Sequence, residues 1–264
     1  MGITELGFYR EAVKFISIGA AFGWHERNAG NISLRLTRDE AAAASLCFEE
    51  TRPENELART VPEMDGEYVF TTAAGSYFTD MDETSFCICK ICGGGSKYKV
   101  VWGAEKPTSE LCGHLLALAA FKRAEDGRRA VYHCHPADLV ALTNILPLDD
   151  KTFTTALWGA LTECPFVFPR GVGVVPFRIP GSPELADATA GLIPERDAVI
   201  WAFHGLFASG TSIKDAFGVA HTVAKAAEIR LKIISSGREP LNVPSLKELE
   251  QTAGYFGKKL NTFY

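Results

Sequence analysis

Hydrophobic and polar residues alternate along several short stretches of the chain, with the two-residue period of a half-buried strand. Residues 31–36, Asn-Ile-Ser-Leu-Arg-Leu, show this alternation most clearly. Gly93-Gly94-Gly95 separates two further stretches, which predicts a β-hairpin at that point. By the same criteria, strands are predicted at 68–72, 84–92, 97–102, 130–134, 165–168, 172–177 and 198–203.

A longer hydrophobic period, close to 3.6 residues, predicts helices. They cover 4–22, 109–124, 137–146 and 213–236, and a last helix opens at Ser245. Residues 37–66, rich in Glu, Arg and Pro, are predicted to be an irregular surface excursion. Strands and helices mix without strict βα alternation. We therefore predict one α/β domain over 1–264, with a central mixed or antiparallel sheet covered by helices on both faces.

Composition and charge narrow the range of partners. The 264 residues are 47% hydrophobic and 22% charged, with a net charge of −5, as in an ordinary soluble domain. No basic patch indicates nucleic-acid binding, and no stretch approaches the ~20 apolar residues of a membrane span. Charged residues interrupt the first helix, which argues against a signal peptide. Seven cysteines, an odd number without an export signal, predict free thiols and a reducing compartment.

The candidate metal site begins with His133-Cys134-His135, at the end of a predicted strand. Alternate residues of a strand face the same way, so the two imidazoles share a face and Cys134 points away. His204 follows another apolar strand, and Glu110 stands at a predicted helix start. Three histidines and a carboxylate suit a divalent ion, most simply zinc. The alternative is that His133 and His135 are unrelated polar residues.

Two segments are candidates for binding an anion. The turn at 23–31 is rich in Asn and Gly, whose amides and backbone N–H groups can surround an anion, although an ordinary helix end and turn is the simpler interpretation. Thr108 and Ser109 stand at a predicted helix N-terminus, where hydroxyls and free N–H groups favour phosphate. The alternative for both residues is helix capping alone.

Several other polar residues have ordinary interpretations. Cys87, Cys89 and Cys92 lack a second pair with ligand spacing, so buried thiols are favoured over a zinc or redox centre. Glu163 reads as an exposed loop acid. The histidines outside the candidate metal site are interpreted as follows: His114 supports or packs against Glu110 on one helix face, and His25 and His221 are ordinary polar residues.

Taken together, these segments resemble the class II aldolase/adducin family. The resemblance runs from near residue 8 to about 235. His-x-His with Ser-Glu upstream is specific to the family. Trp-x-Glu-Arg-Asn-x-Gly-Asn and Leu-Trp…Thr-Glu-Cys narrow it to the branch that acts on rhamnulose phosphate. The matching stretches are Gly23–Asn31, Pro107–Leu111, His133–His135 with 137–143, Leu157–Glu163, Phe203–Gly205 and Ser209-Gly210.

The resemblance implies a zinc-dependent lyase that cleaves L-rhamnulose 1-phosphate to dihydroxyacetone phosphate and L-lactaldehyde. His133, His135 and His204 would hold Zn²⁺. Glu110 would act as the acid/base or ligate the metal before substrate arrives, and Glu163 matches a second catalytic carboxylate. The residues implied in phosphate binding are Asn28, Asn31, Thr108, Ser109 and the backbone at Gly75. The resemblance also implies a cytoplasmic homotetramer with fourfold symmetry, whose partner is a small ketose phosphate.

One departure from the family pattern concerns the phosphate-binding turn. The family carries a Gly-Ser-Gly-like string there, whereas this chain has Thr72-Ala73-Ala74-Gly75, so the serine hydroxyl is missing at Ala74. This leaves open another member of the family, such as a fuculose- or ribulose-phosphate aldolase, an epimerase or a dehydratase. A non-catalytic protein of the same fold, as adducin heads are, requires lost ligands, and here all are present.

Overall fold

The computed structural model describes residues 2–261, and in this range the strands form a single mixed sheet. Its order is β2-β5-β4-β3-β1-β6-β9-β8-β7. Neighbouring strands are antiparallel except β7 and β8, which are parallel. The strands are β1 Asn31–Arg35, β2 Glu54–Glu56, β3 Tyr68–Thr72, β4 Phe86–Cys92, β5 Lys97–Gly103, β6 Ala130–Cys134, β7 Val172–Val175, β8 Ala198–Trp201 and β9 Gly205–Gly210.

Helices cover both faces of this sheet, as predicted. They are α1 Gly7–Ala21, α2 Arg38–Ala44, α3 Leu111–Ala124, α4 Ala137–Leu142, α5 Asp150–Trp158, α6 Cys164–Val167, α7 Pro183–Leu192, α8 Ile213–Ser235 and α9 Leu246–Tyr255. In the part of the chain that the structure describes, none of these helices combines the length and apolar character that a membrane crossing requires.

Strand β6 shows how the alternating sequence builds two cores. Tyr132 packs with α1 and α8 on one face, whereas Val131 packs with α3 on the other. Because successive strand residues face opposite ways, the side chain of His133 lies on the α3 face and that of Tyr132 on the α1 and α8 face. The central strand therefore presents a histidine towards the start of α3 and anchors the opposite core with a fully buried tyrosine.

Some local predictions were wrong. Residues 165–168 are not a strand, because Cys164–Val167 forms one helical turn, α6, which packs on α8 and α9. A short apolar run cannot distinguish a buried strand from a buried helical turn. The excursion at 37–66 contains α2, which starts at a Thr37 capping box, and edge strand β2. α4 ends at Leu142 rather than 146, and α5, α7 and β9 were not predicted.

Candidate active site

Three histidines meet at the end of the central strands. His133 lies in β6, His135 lies one residue beyond it, and His204 lies in the turn between β8 and β9. Strand β9 pairs with β6 and β8, which brings that turn alongside β6. One ring nitrogen from each histidine lies within 4.8 Å of the others. Among the described residues, this is the cluster of His, Cys, Asp or Glu side chains that could hold a metal ion.

A strained backbone turn places His204. Phe203, just before it, has φ of 64°, the left-handed region that a bulky residue rarely adopts. The Phe203 N–H donates to Thr143 Oγ1 at 3.0 Å, which secures the turn to the end of α4. Strain of this kind typically costs ~1–3 kcal/mol and persists where surrounding structure enforces it.

Hydrogen bonds orient two of the imidazoles with Nε2 towards the centre of the cluster. His133 Nδ1–H donates to the Leu206 carbonyl at 2.9 Å. His135 Nδ1 contacts Glu26 Oε1 at 2.7 Å, so the carboxylate accepts its proton. The two Nε2 atoms then face each other at 3.1 Å. His204 Nδ1 is buried without a hydrogen-bond partner in the described part of the chain. A cation bound by one nitrogen of each ring would satisfy the facing Nε2 atoms of His133 and His135.

The surroundings favour the uncharged form of two of the three histidines. Burial, followed by the neighbouring His135 and His204, lowers the pKa of His133 well below its ordinary value. Burial and His135 lower the pKa of His204 to about 4. Neutral imidazole is the form that binds a metal ion, so His133 and His204 can bind one at neutral pH without first losing a proton.

Glu110 lies beside the histidines in a buried position. Its Oε2 is 3.7 Å from His133 Nε2 and accepts a hydrogen bond from Asn31 Nδ2 at 2.8 Å. Asn31 reaches it because β1 pairs with β6, with Asn31 opposite His133. Burial raises the pKa of Glu110, and the bond from Asn31 opposes this shift. A carboxyl whose pKa is raised towards neutrality suits proton transfer.

The residues implied in phosphate binding fall into two groups. An isolated bridge between Ala73 and Pro107 places the turn containing Gly75 beside the segment 106–109. Thr108 is buried and Ser109 is exposed. Asn28 is exposed in the turn after α1. The Asn31 amide donates to Glu110, and its Oδ1 is buried with no hydrogen-bond partner among residues 2–261. Phosphate binding by these residues stays a prediction.

The start of α3 differs from the prediction. The helix begins at Leu111, so Glu110 rather than Thr108 or Ser109 occupies the N-cap position, and the Glu110 side chain forms no capping hydrogen bond in the described structure. Thr108 Oγ1 instead accepts the Glu110 N–H at 3.3 Å. The threonine hydroxyl therefore fixes the backbone of the buried carboxylate.

Glu163 and the cysteines stand apart from the histidine cluster. Glu163 is exposed at the start of α6, and its hydrogen bond is to the neighbouring Thr162 hydroxyl. All seven cysteines are free thiols, as predicted. Cys134 is buried on the core face opposite the histidines, and Cys87 and Cys89 are buried in the other core.

The sequence interpretation missed two residues around the cluster. Glu26 lies within the turn quoted for the resemblance, but its exposed position gave no local sign that it would orient His135. The ring of Trp201 lies 4.5 Å from His133 and 5.0 Å from His204, between centroids. Its position at the end of an apolar strand was the available signal.

Buried neutral histidines should make the metal-free protein sensitive to acid. Burial lowers the pKa of His25 to about 4 and that of His114 to about 3, from an ordinary value of 6.5. Between pH 6.5 and about 4, the unfolded chain binds protons there and the folded protein does not. The free energy of unfolding should therefore decrease as the pH is lowered through this window, and the loss should reach about 3 kcal/mol per histidine at pH 4.

Urea unfolding of metal-free protein from pH 7 to pH 4.5 measures this effect. His114→Asn should flatten the profile, because one buried histidine no longer titrates. If the free energy of unfolding of the native protein did not change across this window, or changed equally in both proteins, buried neutral histidines would not be the cause of acid sensitivity.

Comparisons with known proteins agree with this geometry. Residues 10–231 match the family described as Class II Aldolase and Adducin N-terminal domain. A Mannheimia succiniciproducens protein named "Rhamnulose-1-phosphate aldolase" is 36% identical over 241 residues, which cover 88% of this chain and 89% of that protein. A protein of the same name from Pectobacterium atrosepticum is 35% identical over 242 residues, covering 89% and 88%.

Solved structures share the fold. The sugar-phosphate aldolase from Thermotoga maritima matches with a TM-score of 0.76 and 34% identity, covering 88% of this chain and 97% of that one. An L-fuculose 1-phosphate aldolase matches with a TM-score of 0.63 and 22% identity over 94% of this chain and 95% of that one, which shows likeness of fold alone. The chain belongs to the class II aldolase and adducin family.

Proposed function

We propose that this protein is a zinc-dependent aldolase that cleaves L-rhamnulose 1-phosphate to dihydroxyacetone phosphate and L-lactaldehyde. The observation that carries the proposal is the meeting of His133, His135 and His204 beside the buried carboxyl of Glu110. The relatives named "Rhamnulose-1-phosphate aldolase" support the choice of substrate.

The donor set suits zinc. His133, His135 and His204 would hold the ion through neutral nitrogen atoms, which preserves its double positive charge. When bound, zinc would act as a Lewis acid for the negative charge that develops on the substrate oxygens as the C3–C4 bond breaks. The unpartnered Nδ1 of His204 and the facing nitrogens of His133 and His135 support this assignment.

Glu110 would carry the proton-transfer step. In cleavage, its carboxylate would take the proton from the C4 hydroxyl as the aldehyde forms, and the protonated acid would then return a proton to the remaining three-carbon fragment. Asn31 holds the carboxyl in place through its amide, and Thr108 holds the backbone. Burial raises the pKa of Glu110, which makes its carboxylate a stronger proton acceptor than that of an exposed glutamate.

The substrate phosphate would bind at the turn containing Asn28 and at the segment containing Gly75, Thr108 and Ser109. Asn28→Ala should raise KM for the phosphorylated ketose by about tenfold to a hundredfold, the worth of a hydrogen bond to a charged group. The unphosphorylated ketose should be affected much less. Steady-state kinetics on both sugars measure the difference, and an equal loss on both would make the turn a structural element only.

Two variants sharpen the phosphate experiment. Asn31→Ala should likewise weaken binding of the phosphorylated ketose more than of the free ketose, and it should in addition lower kcat on both sugars, because its amide supports Glu110. Ala74→Ser, which restores the hydroxyl of the family pattern, should leave phosphate affinity unchanged or improve it. A clear loss of affinity in Ala74→Ser would mean that this turn does not face the phosphate.

Glu163 would act as a second catalytic carboxylate. Its side chain is exposed, and within residues 2–261 no hydrogen bond or ion pair joins it to the histidines. In the homotetramer that the resemblance implies, an exposed acid of one subunit can face the active site of another. Glu163 would take part in catalysis in this way. The cytoplasmic location is part of the same proposal.

The alternative is an aldolase for another sugar phosphate, or an epimerase or dehydratase of the same family. Ala74, which stands where the family's phosphate-binding turn has a serine, supports this alternative. Purified protein should be assayed with L-rhamnulose 1-phosphate, L-fuculose 1-phosphate and ribulose phosphate, with coupled detection of dihydroxyacetone phosphate and detection of the sugar product. The proposal expects the highest kcat/KM for L-rhamnulose 1-phosphate. A higher value for another sugar, or a product without carbon–carbon cleavage, would replace it.

A further inference from the structure

The imidazole of His25 is buried beneath the turn at 25–31, contrary to its interpretation as an ordinary polar residue. Its side chain is among the buried residues, with 5% of the residue exposed. Nε2 lies 2.8 Å from the Tyr132 hydroxyl, and Nδ1 lies 3.2 Å from the Ala29 carbonyl oxygen. One side chain thus joins the turn to the central strand β6 and also closes the turn on itself.

The partners of His25 determine which nitrogen carries the proton. A carbonyl oxygen only accepts hydrogen bonds, so Nδ1–H donates to Ala29. Nε2 of the neutral ring then accepts the proton of the Tyr132 hydroxyl. Burial, which lowers the pKa of His25 to about 4, keeps the ring in this neutral form at neutral pH. Both ring nitrogens are therefore used.

Two glycines form the walls of the slot that holds this ring. A Cβ at Gly30 would lie 2.3 Å from His25 Nδ1 and 2.8 Å from the His133 carbonyl oxygen. A Cβ at Gly19, in α1, would lie 2.2 Å from the Tyr132 hydroxyl and 2.8 Å from His25 Nε2. A side chain at either position would collide with the imidazole or with the Tyr132 hydroxyl that it contacts. The backbone at Gly19 and Gly30 therefore packs directly against the His25 ring and its partner.

The turn that His25 secures carries a residue that orients the histidine cluster. Trp24 O accepts the His135 N–H at 2.9 Å, and Glu26 Oε1 accepts from His135 Nδ1 at 2.7 Å. The Glu26 side chain is 65% exposed, so packing does not hold it, and its position depends on the backbone of the turn. That backbone includes Arg27 at φ of 54°.

We infer that His25 is a positioning residue, which fixes the turn at 25–31 on Tyr132 and thereby holds Glu26 against His135. The inference rests on the proposed metal site, because its consequence is the orientation of a metal ligand. Carboxylates that orient a ligand histidine typically contribute 10–100-fold to metal affinity, and His25 acts through one of them.

Zinc affinity of the full chain, measured by chelator competition, tests the inference. Glu26→Ala, which removes the acceptor for His135 Nδ1–H, should weaken zinc binding by about 10–100-fold, and His25→Leu should cause a loss in the same range. The double variant should bind zinc no more weakly than Glu26→Ala alone, because both changes release the same contact. Native-like affinity in His25→Leu, or losses that multiply in the double variant, would overturn the inference.

A milder variant and a control separate positioning from general stability. Tyr132→Phe keeps the ring but removes the hydroxyl, and it should weaken zinc binding in the same direction as His25→Leu. Thr154→Val removes a buried hydroxyl that bonds the Val172 backbone twice at the edge of the sheet. This variant should lose stability and keep native zinc affinity. Equal losses of zinc affinity in Thr154→Val and Tyr132→Phe would overturn the inference.

Hydrogen exchange in the metal-free protein provides a readout that does not depend on zinc. The Ala29 N–H donates to Glu26 O at 2.9 Å, so its exchange reports opening of the turn. Exchange at Ala29 should be at least about tenfold faster in His25→Leu and unchanged in Thr154→Val. Unchanged exchange in His25→Leu would defeat the inference alone, whereas native protein that binds no zinc would defeat the proposed function alone.

Discussion

His133→Ala should abolish zinc binding and aldol cleavage together while most of the fold survives. His133 is buried at the centre of the cluster, and its Nε2 faces both His135 and Glu110. Its removal eliminates a ligand, so the loss of zinc affinity should exceed the 10–100-fold typical of losing a supporting hydrogen bond. Metal analysis and turnover of the purified variant measure both effects.

His221→Ala is the matched control. His221 is an exposed histidine that stacks on Phe22 with 5.1 Å between ring centroids and lies outside the cluster. This variant should keep native zinc content and turnover. Circular dichroism should show native secondary structure in both variants. Full zinc content in His133→Ala would mean that the metal binds elsewhere.

Glu110→Gln should lower turnover by about 10²–10⁴-fold with zinc retained, the usual cost of removing a positioned acid or base. Glutamine keeps the shape of the side chain, and its amide oxygen can still accept the hydrogen bond from Asn31. The three histidines are unchanged, so zinc content should remain native. Pre-steady-state and steady-state rates of dihydroxyacetone phosphate formation, with zinc measured on the same samples, test this prediction.

Glu163→Gln provides the comparison for the second carboxylate. It should also impair cleavage and leave zinc content unchanged, but near-normal turnover would return Glu163 to its interpretation as an exposed loop acid. Near-normal turnover in Glu110→Gln would be more serious. No other carboxylate in the described part of the chain is found in contact with His133, so no second group occupies the position from which Glu110 would transfer the proton.

The three clustered histidines could be predicted from sequence because the signal is local. The two-residue period of a strand places His133 and His135 on one face, and His204 follows another apolar strand. The contact between Asn31 and Glu110 could not be found in this way. It depends on β1 pairing with β6 in a particular register, and pairing between distant segments is not encoded in either strand alone.

The missed secondary structure also has physical causes. Cys164–Val167 is too short for its apolar pattern to distinguish helix from strand, and its contacts with α8 and α9 decide the outcome. Strand β9 begins and ends with glycine, which resembles turn sequence rather than strand sequence. The capping box of Thr37 and Glu40 was a usable local signal for α2, but the charged composition of 37–66 concealed it.

His25 illustrates a third kind of difficulty. A single histidine in a turn gives no indication of burial, and its surroundings come from α1, β6 and the turn itself. Only the assembled backbone, with Gly19 and Gly30 on either side of the ring, shows that the imidazole is enclosed.

The most direct test of the account is dihydroxyacetone phosphate release from L-rhamnulose 1-phosphate before chelation, after chelation, and after zinc is restored. The account predicts loss of cleavage on metal removal and full recovery at about one zinc per chain, the stoichiometry of a single three-histidine site. Undiminished cleavage by protein shown to be free of metal would contradict it. So would a zinc-loaded protein, with the ion on His133, His135 and His204, that releases no dihydroxyacetone phosphate from this sugar.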